Sequence, residues 1–377
     1  MPDFHKPLLA LDDWVDSGVV RGASAAIWWR GEIVALHHAG FAREGQAVDE
    51  RTLFALASVS KPITAALVMR FIELHNLSLD TPVEAVLPGF GSIDDPFDVD
   101  AYPQLEALRH RITIRHILCH VSGLPENIGV KRLRMRDKPT LERMLDLMCG
   151  LPLQSVPGEE LRYSNVGFGV AAQLVERATG TSFHQMLKEQ LLTPMGLSDL
   201  VARPDASDRS RIGHTDDAAS AGTEVESYNS LYWQDLGIPW GGFYGTTHDV
   251  LRFACSFLPA QERVISDVST AQMIVDQTGG VPGGVNSANV HWDRGSWGLG
   301  WEVAGDKPRH WTGTLRSPRT WCHWGQSGTL VWVDPERELG LAVFGNRTVH
   351  KPWPLVPPRW SELSDAVVQV ADESPSP

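Results

Sequence analysis

The chain has 377 residues, of which 42% are hydrophobic and 21% are charged. These proportions are typical of a folded protein with a large core, so they exclude global disorder and collagen-like structure. The 46 acidic residues outnumber the 33 Lys and Arg residues, and the resulting net charge of −13 disfavours a nucleic-acid partner, because it repels phosphate backbones.

Membrane attachment and export are both disfavoured. No stretch approaches the roughly 18 apolar residues of a membrane helix, so we predict no membrane partner. The apolar residues 8–11 are followed by Asp12 and Asp13, which makes this stretch too short and too acidic for a signal peptide. The four cysteines lie far apart without a C-x-x-C pair, which predicts free thiols and no zinc site. We therefore expect a cytoplasmic protein.

The chain begins with a predicted helix and a predicted hairpin. Apolar residues recur at helical spacing from Leu8 to Val15, and Gly18 is a suitable end for that helix. Residues 23–29 and 33–38 are short and apolar, as strands are, with a turn between them.

The first motif is a serine followed three residues later by a lysine. Pro62 precedes an apolar stripe at helical spacing and is tolerated only in the first turn, so the helix begins near Ser58. Ser58 and Lys61 then share a face. A serine hydroxyl is a weak nucleophile without a base, and a lysine becomes a base only if burial and the helix dipole lower its pKa by about three units. Taken alone, the motif also fits a capping Ser58 and a solvated Lys61.

The middle of the chain, residues 105–200, has mostly helical patterns and contains the second motif. Tyr163 and Asn165 stand two residues apart before a helical stretch at 168–178. The phenol could carry protons if a nearby cation lowered its pKa, and the amide could orient a carbonyl or the lysine. Alternatively, Asn165 caps the helix and Tyr163 packs.

Two stretches lack a clear period, residues 203–240 and 279–298. Segments of this length are uncommon in compact domains unless they form lids or binding walls. Flexible surface loops explain them equally well, so both interpretations stay open.

The third motif is a tryptophan-rich strand near the end of the chain. Alternation places Trp321 and His323 on one face, with Cys322 and Trp324 on the other. Gly325 lets another group approach the backbone closely, and a free N–H there could donate to an oxyanion. The alternative is an ordinary core strand.

A second hairpin, residues 328–333 and 339–344, precedes a last helix at 360–370. Hairpins at both ends predict an α/β (α+β) fold with one central antiparallel sheet, assembled from both chain ends and flanked by helices. We assign residues 1–95 and 236–377 to this sheet domain. Residues 96–235 form an inserted, mainly helical domain.

Ser-x-x-Lys, Tyr-x-Asn and His-x-Gly occur in the order that resembles the serine beta-lactamase and DD-peptidase superfamily. The class C branch and the family VIII carboxylesterases are the most similar. Connecting segments agree, among them residues 114–125, 193–197 and 297–301, so the resemblance runs from about residue 8 to 346. Gly-x-Ser-x-Gly, the α/β-hydrolase alternative, does not occur.

The resemblance implies a role for each motif residue. Ser58 matches the acylated nucleophile and Lys61 the residue that activates it. Tyr163 matches the tyrosine that carries a proton to the leaving group and helps to activate the deacylating water. Asn165 matches the residue that contacts the substrate side chain and the lysine.

The third motif departs from the lactamase pattern. His323 and Trp324 stand where beta-lactamases usually carry Lys and Thr, and the N–H groups of Ser58 and Gln326, beside Gly325, would form the oxyanion hole. The permanent charge that holds a lactam carboxylate is absent near pH 7. We expect protonation of His323 near pH 6 to restore it.

These features together predict a serine hydrolase that works through an acyl-enzyme, without metal or organic cofactor. The preferred interpretation is a carboxylesterase that acts on short or medium acyl esters. The alternatives on the same site are a beta-lactamase, a D-aminopeptidase or amidase, and an acyltransferase. A catalytically idle relative that binds a peptide or cell-wall fragment is the non-enzyme alternative. The predicted partner is a small-molecule ester or amide, and oligomeric state stays open.

Tryptophans near the third motif could line an aromatic pocket. For His116 and His120, four residues apart, we expect local hydrogen bonds rather than metal binding.

Overall fold

The computed structural model describes residues 2–91, 103–308, 310–350, 353–355 and 358–373. In this part of the chain, seven antiparallel strands form the main sheet. Their order across the sheet is β10 (Glu302–Val303), β11 (Trp321–Gly325), β12 (Thr329–Asp334), β13 (Leu339–Gly345), β1 (Gly22–Trp29), β2 (Glu32–Arg43) and β3 (Gln46–Ala47). Because β1 pairs with β13, with Ala25 opposite Val343, the two chain ends meet at the centre as predicted.

Two small three-stranded sheets lie outside the main one. The first contains β4 (Phe54–Ala55), β7 (Tyr244–Gly245) and β6 (Leu200–Val201); the second contains β5 (Leu161–Arg162), β8 (Gly283–Val285) and β9 (Val290–Trp292). Strands β8 and β9 of the second sheet lie within the stretch 279–298, for which the sequence showed no period, so this stretch is not a simple surface loop.

The helices range from single turns to 15 residues. They are α1 (His5–Leu8), α2 (Ala10–Asp16), α3 (Ser60–Leu74), α4 (Val83–Val86), α5 (Pro103–Glu106), α6 (Ile114–Leu118), α7 (Leu141–Gly150), α8 (Asn165–Thr179), α9 (Phe183–Leu187), α10 (Ala206–Arg209), α11 (Leu231–Leu236), α12 (Thr247–Cys255), α13 (Asp267–Met273) and α14 (Arg359–Asp372). Short 3₁₀ turns cover Ala57–Val59, Arg109–Arg111, Met135–Asp137 and Asn286–Ala288, and a π turn covers Lys188–Leu192.

Helices cover both faces of the main sheet. A Cβ on Gly340 would touch Cys255 and Leu251 of α12, whereas Trp332 on β12 donates its indole N–H to Ser364 of α14. Alternation explains this arrangement, since Trp332 pairs with Leu341, the neighbour of Gly340. Strands β12 and β13 are therefore buried along their whole length.

Helices α3, α6, α7 and α8 pack against one another beside the sheet, in agreement with the predicted mixed fold. The interval between these helices is more irregular than predicted, because residues 119–134 form turns and bends without regular secondary structure. The domain limits stay a prediction, and the boundary at residue 95 lies outside the described residues. No helix in the described ranges combines the length and apolarity that crossing a bilayer requires.

Candidate active site

Ser58 lies on a strained turn between β4 and α3. The Leu56 N–H donates to Phe243 O at 2.8 Å, and Ala57 then adopts a left-handed φ of 45°, which is costly for a residue with a side chain. The following 3₁₀ turn carries Ser58 to the start of α3, where it is partly exposed. Ser60 is fully buried and accepts a 3.2 Å hydrogen bond from the Phe243 N–H. The turn therefore presents Ser58, and not Ser60, to solvent.

Strand β11 approaches this turn closely because residue 325 is glycine. A Cβ on Gly325 would lie 2.2 Å from the Leu56 oxygen and 3.2 Å from the Ala57 Cβ. Two hydroxyls hold the contact: Thr329 donates to Leu56 O at 3.1 Å, and Ser327 donates to Ala55 O. The close approach expected at Gly325 is present, and its partner is the backbone that carries Ser58.

Lys61 is a fully buried amine beside the serine hydroxyl. Its Nζ donates to Ser58 Oγ at 3.1 Å and to the Trp240 carbonyl at 2.7 Å. Burial lowers the lysine pKa far below its ordinary value, and the Glu126 carboxylate acts in the opposite direction without reversing this. The lysine thus has the position and the lowered pKa that a general base needs.

Tyr163 is buried beside the same lysine, whose Nζ lies 4.8 Å from the phenol ring centroid. Burial raises the tyrosine pKa well above its ordinary value, and an interaction with Ser58 opposes this only in part. The expected lowering of this pKa by a nearby cation is not found, and the burial of the phenolate dominates. The phenol is therefore held protonated, ready to donate.

Asn165 does not cap α8. Ser164 does so instead, accepting the Gly167 N–H at 2.9 Å, which leaves the Asn165 side chain free to donate to Asn127 Oδ1 at 2.7 Å. The expected contact with Lys61 is not formed, since the hydrogen bonds of the lysine go to Ser58 and Trp240.

His323 lies on the predicted strand, but its charge differs from expectation. Its Nδ1–H donates to Trp324 O at 2.9 Å, which leaves Nε2 as a lone pair without a hydrogen-bond partner in the described structure. Burial, reinforced by Lys61, lowers the His323 pKa to about 3. The expectation of a cation near pH 6 is therefore wrong, because desolvation keeps the imidazole neutral there.

The three motifs meet at one pocket of about 330 Å³. Its wall includes most of the predicted site residues, namely Ser58, Tyr163, Asn165, His323 and Gln326. Gly325 lies behind this wall and Lys61 beneath it. Ser58 and Gln326, whose N–H groups the resemblance assigns to the oxyanion hole, both border the pocket.

Sequence reasoning missed several residues of the wall. Glu126 and Trp240 line the pocket, and Glu126 directly follows the familial segment 114–125. That adjacency was the available signal. Of the tryptophans near the third motif, Trp297 and Trp324 line the pocket as anticipated.

His120 supports Tyr163 from within the core. Its Nδ1 accepts the Ser164 N–H at 3.0 Å, and its ring centroid lies 4.4 Å from that of Tyr163. His116 accepts the Thr113 N–H at 3.2 Å. The local hydrogen bond expected for His116 is present, whereas the bond of His120 reaches Ser164, which is distant in the chain. His120 is a positioning residue for Tyr163.

A second ionisable cluster lies outside the pocket. Three of its residues bring metal-ligating atoms within 4.8 Å of one another: Glu302, His310 and Cys322. The Lys307 ammonium, however, donates to Glu302 Oε1 at 2.8 Å in this fully buried pair, so a cation already occupies the carboxylate. Trp311 donates to Glu302 Oε2 at 3.1 Å and contacts Trp324. The cluster therefore holds Trp311 against Trp324, which lines the pocket.

The sheet built from both chain ends, with the Ser–Lys–Tyr cluster beside it, defines a protein of the serine beta-lactamase/transpeptidase superfamily. The family model described as Beta-lactamase matches residues 10–360. The chain belongs to this family, and the resemblance found in the sequence is confirmed. By family it is a serine hydrolase.

Individual relatives differ in the activity that their names state. Penicillin-binding protein 4 of Amycolatopsis lactamdurans is 30% identical over 263 residues, which cover 67% of this chain and 65% of that protein, just under two thirds. Esterase EstB of Burkholderia gladioli is 29% identical and covers 86% of this chain and 84% of the relative. A solved family VIII carboxylesterase, at 19% identity, shows the shared fold with a TM-score of 0.77 over 97% of this chain and 98% of that one.

Proposed function

We propose that the protein hydrolyses carboxylic esters with short or medium acyl groups through an acyl-enzyme on Ser58. The observation that carries this proposal is the buried Lys61 amine, 3.1 Å from Ser58 Oγ at the edge of the pocket. A binding protein has no need for a desolvated base beside a hydroxyl. The catalytically idle alternative is therefore disfavoured.

In the acylation step, neutral Lys61 accepts the Ser58 proton while Oγ bonds to the ester carbonyl carbon. The carbonyl oxygen becomes an oxyanion facing the N–H groups of Ser58 and Gln326. Tyr163 donates its phenolic proton to the leaving oxygen, and the proton held by Lys61 restores the phenol. The C–O bond breaks, and the alcohol departs.

Deacylation runs the same groups in reverse. Water loses a proton to the Tyr163–Lys61 pair as it attacks the acyl carbon. That proton then returns to Ser58 Oγ as the acyl bond breaks. The net reaction consumes one ester and one water, releases one acid and one alcohol, and needs neither a metal nor an organic cofactor.

The preference for esters over beta-lactams rests on His323 and Trp324. A neutral imidazole offers no charge to a lactam carboxylate, and losing one charge-assisted hydrogen bond costs about 1.5–3 kcal/mol, or roughly 10- to 100-fold in binding. An ester without a carboxylate loses nothing there. The similarity to an esterase supports this choice, whereas the similarity to a penicillin-binding protein keeps lactam recognition as the alternative.

Labelling with a fluorophosphonate tests the nucleophile. We expect an adduct on Ser58, no adduct in Ser58→Ala, and a retained adduct in Ser60→Ala, since Ser60 faces the core. An adduct on Ser60 in the wild-type protein would overturn the assignment.

Substrate preference is tested by kcat/KM for p-nitrophenyl butyrate against nitrocefin. In the wild type, kcat/KM should be higher for the ester than for nitrocefin. His323→Lys should reduce this difference in kcat/KM more than the control His350→Lys, which adds a lysine at the exposed pocket rim. Nitrocefin turnover should not improve between pH 7 and 6, because His323 stays neutral there. Equal or better nitrocefin efficiency in the wild type would favour the lactamase alternative.

We also propose that the reaction takes place in the cytoplasm. All four cysteines are buried, unpaired thiols, a state that a reducing compartment maintains. The partner that we propose for the site is a small-molecule ester or amide.

A further inference from the structure

The pocket beside Ser58 is acidic, although the adjoining groove is basic. Glu126 lines the pocket, and neither lysine nor arginine occurs among its lining residues in the described chain. The adjoining groove, which shares Trp233 and Trp240 with the pocket, carries the cations instead: Lys131, Arg134 and Arg136. Lys61 is not part of the lining, and burial lowers its pKa far below the ordinary value, which disfavours its charged form.

Aromatic rings form much of the remaining pocket wall. They are Tyr163, Tyr228, Trp233, Trp240, Trp297 and Trp324. The faces of such rings attract ammonium groups, tryptophan most strongly, and the attraction grows where water is excluded. One amine already lies over a ring of this cluster, since the Lys61 Nζ is 4.8 Å from the Tyr163 ring centroid.

His323 adds no positive charge to this wall. Burial lowers its pKa to about 3, so the imidazole is neutral near pH 7, and its Nε2 is itself buried without a hydrogen-bond partner in the described structure. The Glu126 carboxylate and the ring faces therefore favour the same sign of charge in a ligand.

We propose that the pocket selects ester or amide substrates whose acyl group carries an ammonium group, with Glu126 as the specificity-determining residue. The acyl side is indicated by position. The Glu126 carbonyl accepts the Asn165 N–H at 2.9 Å, and its carboxylate accepts the Ser287 N–H at 3.2 Å, which holds Glu126 beside the residue that the resemblance assigns to the substrate side chain. This inference rests on the proposed hydrolase function and deepens it.

Two isosteric esters test the charge alone. The acyl groups of p-nitrophenyl 4-(trimethylammonio)butyrate and p-nitrophenyl 5,5-dimethylhexanoate have the same shape, and they differ by nitrogen in place of carbon. We expect wild-type kcat/KM to be at least tenfold higher for the cationic ester, after correction for the two hydroxide-catalysed rates. Glu126→Gln keeps an acceptor for Ser287 but removes the charge, so the ratio should fall severalfold. A general change in rate cancels in this ratio.

Glu44→Gln is the matched control. It makes the same change in net charge on an exposed turn that contributes to none of the described pockets, and it should leave the ratio unchanged. Equal rates for both esters in the wild type, or an unchanged ratio in Glu126→Gln, would overturn the cation inference while the hydrolase function stands. If neither ester is cleaved and fluorophosphonate leaves Ser58 unmodified, the proposed function fails and the inference falls with it.

Discussion

Replacing Gly325 by alanine tests whether β11 positions the nucleophile. The added methyl carbon would lie 2.2 Å from the Leu56 oxygen and 2.4 Å from Thr329 Oγ1, distances at which the backbone must move. Overpacking of this kind costs about 1–3 kcal/mol of stability. Because Leu56 directly precedes the Ala57–Ser58 turn, the displacement reaches Ser58 Oγ, and a misplacement of about 1 Å lowers reactivity by roughly 10².

The assay is the rate of fluorophosphonate labelling, measured with thermal unfolding on the same preparations. Gly213→Ala is the matched control, since its added carbon would meet no atom closer than 3.5 Å. We expect Gly213→Ala to label at the wild-type rate and Gly325→Ala to label about 100-fold more slowly while remaining folded at assay temperature. Wild-type labelling and an unchanged Tm in Gly325→Ala would refute the reasoning.

Three further outcomes follow from the buried groups. Tyr163→Phe should lower kcat by about 10² or more, Lys61→Ala at least as much, and the double variant should show less than the sum of both losses, since the two act as one unit; full additivity would separate their roles. The wild-type kcat/KM should rise with pH as Lys61 loses its proton, with an apparent pKa far below 10.5. An acidic limb of the pH profile centred near 10.5 would contradict this. Glu302→Gln should cost about 3–5 kcal/mol in urea unfolding at pH 7, because it leaves Lys307 buried and unpaired. The Glu302 pKa is about 2 when folded against an ordinary 4.5, so its contribution is lost as pH falls from 4.5 towards 2, and the gap between wild type and variant should narrow at pH 3.

Local patterns were enough to predict much of the fold and the three motifs. The hairpins at both ends alternate or run apolar over five or more residues, and Pro62 marks the first turn of α3 directly. Strands β8 and β9 could not be predicted in this way. At Gly283 and Gly284 an added Cβ would collide with the backbone of neighbouring strands, so close packing replaces the side-chain alternation that identifies a strand.

The charge states of the site could not be predicted either. The sequence shows that His323 replaces a lysine, but its neutrality follows from burial among Tyr163, Trp297 and Lys61, which are brought together from distant parts of the chain. Glu126 has no motif of its own, and its place in the pocket depends on the path of the irregular segment before α7. Tertiary packing, rather than residue identity, decides both.

Glu126 and burial act on Lys61 in opposite directions, and a cationic substrate would change their balance. The carboxylate raises the pKa of the lysine, whereas burial lowers it. An ammonium bound at Glu126 would offset the carboxylate charge, lower the lysine pKa further and so increase the fraction of Lys61 that is neutral. The acidic limb of kcat, which reports the substrate complex, should then lie at lower pH than the limb of kcat/KM, which reports the free enzyme. The two limbs should differ less for the neutral isostere, because that ester adds no charge beside the lysine.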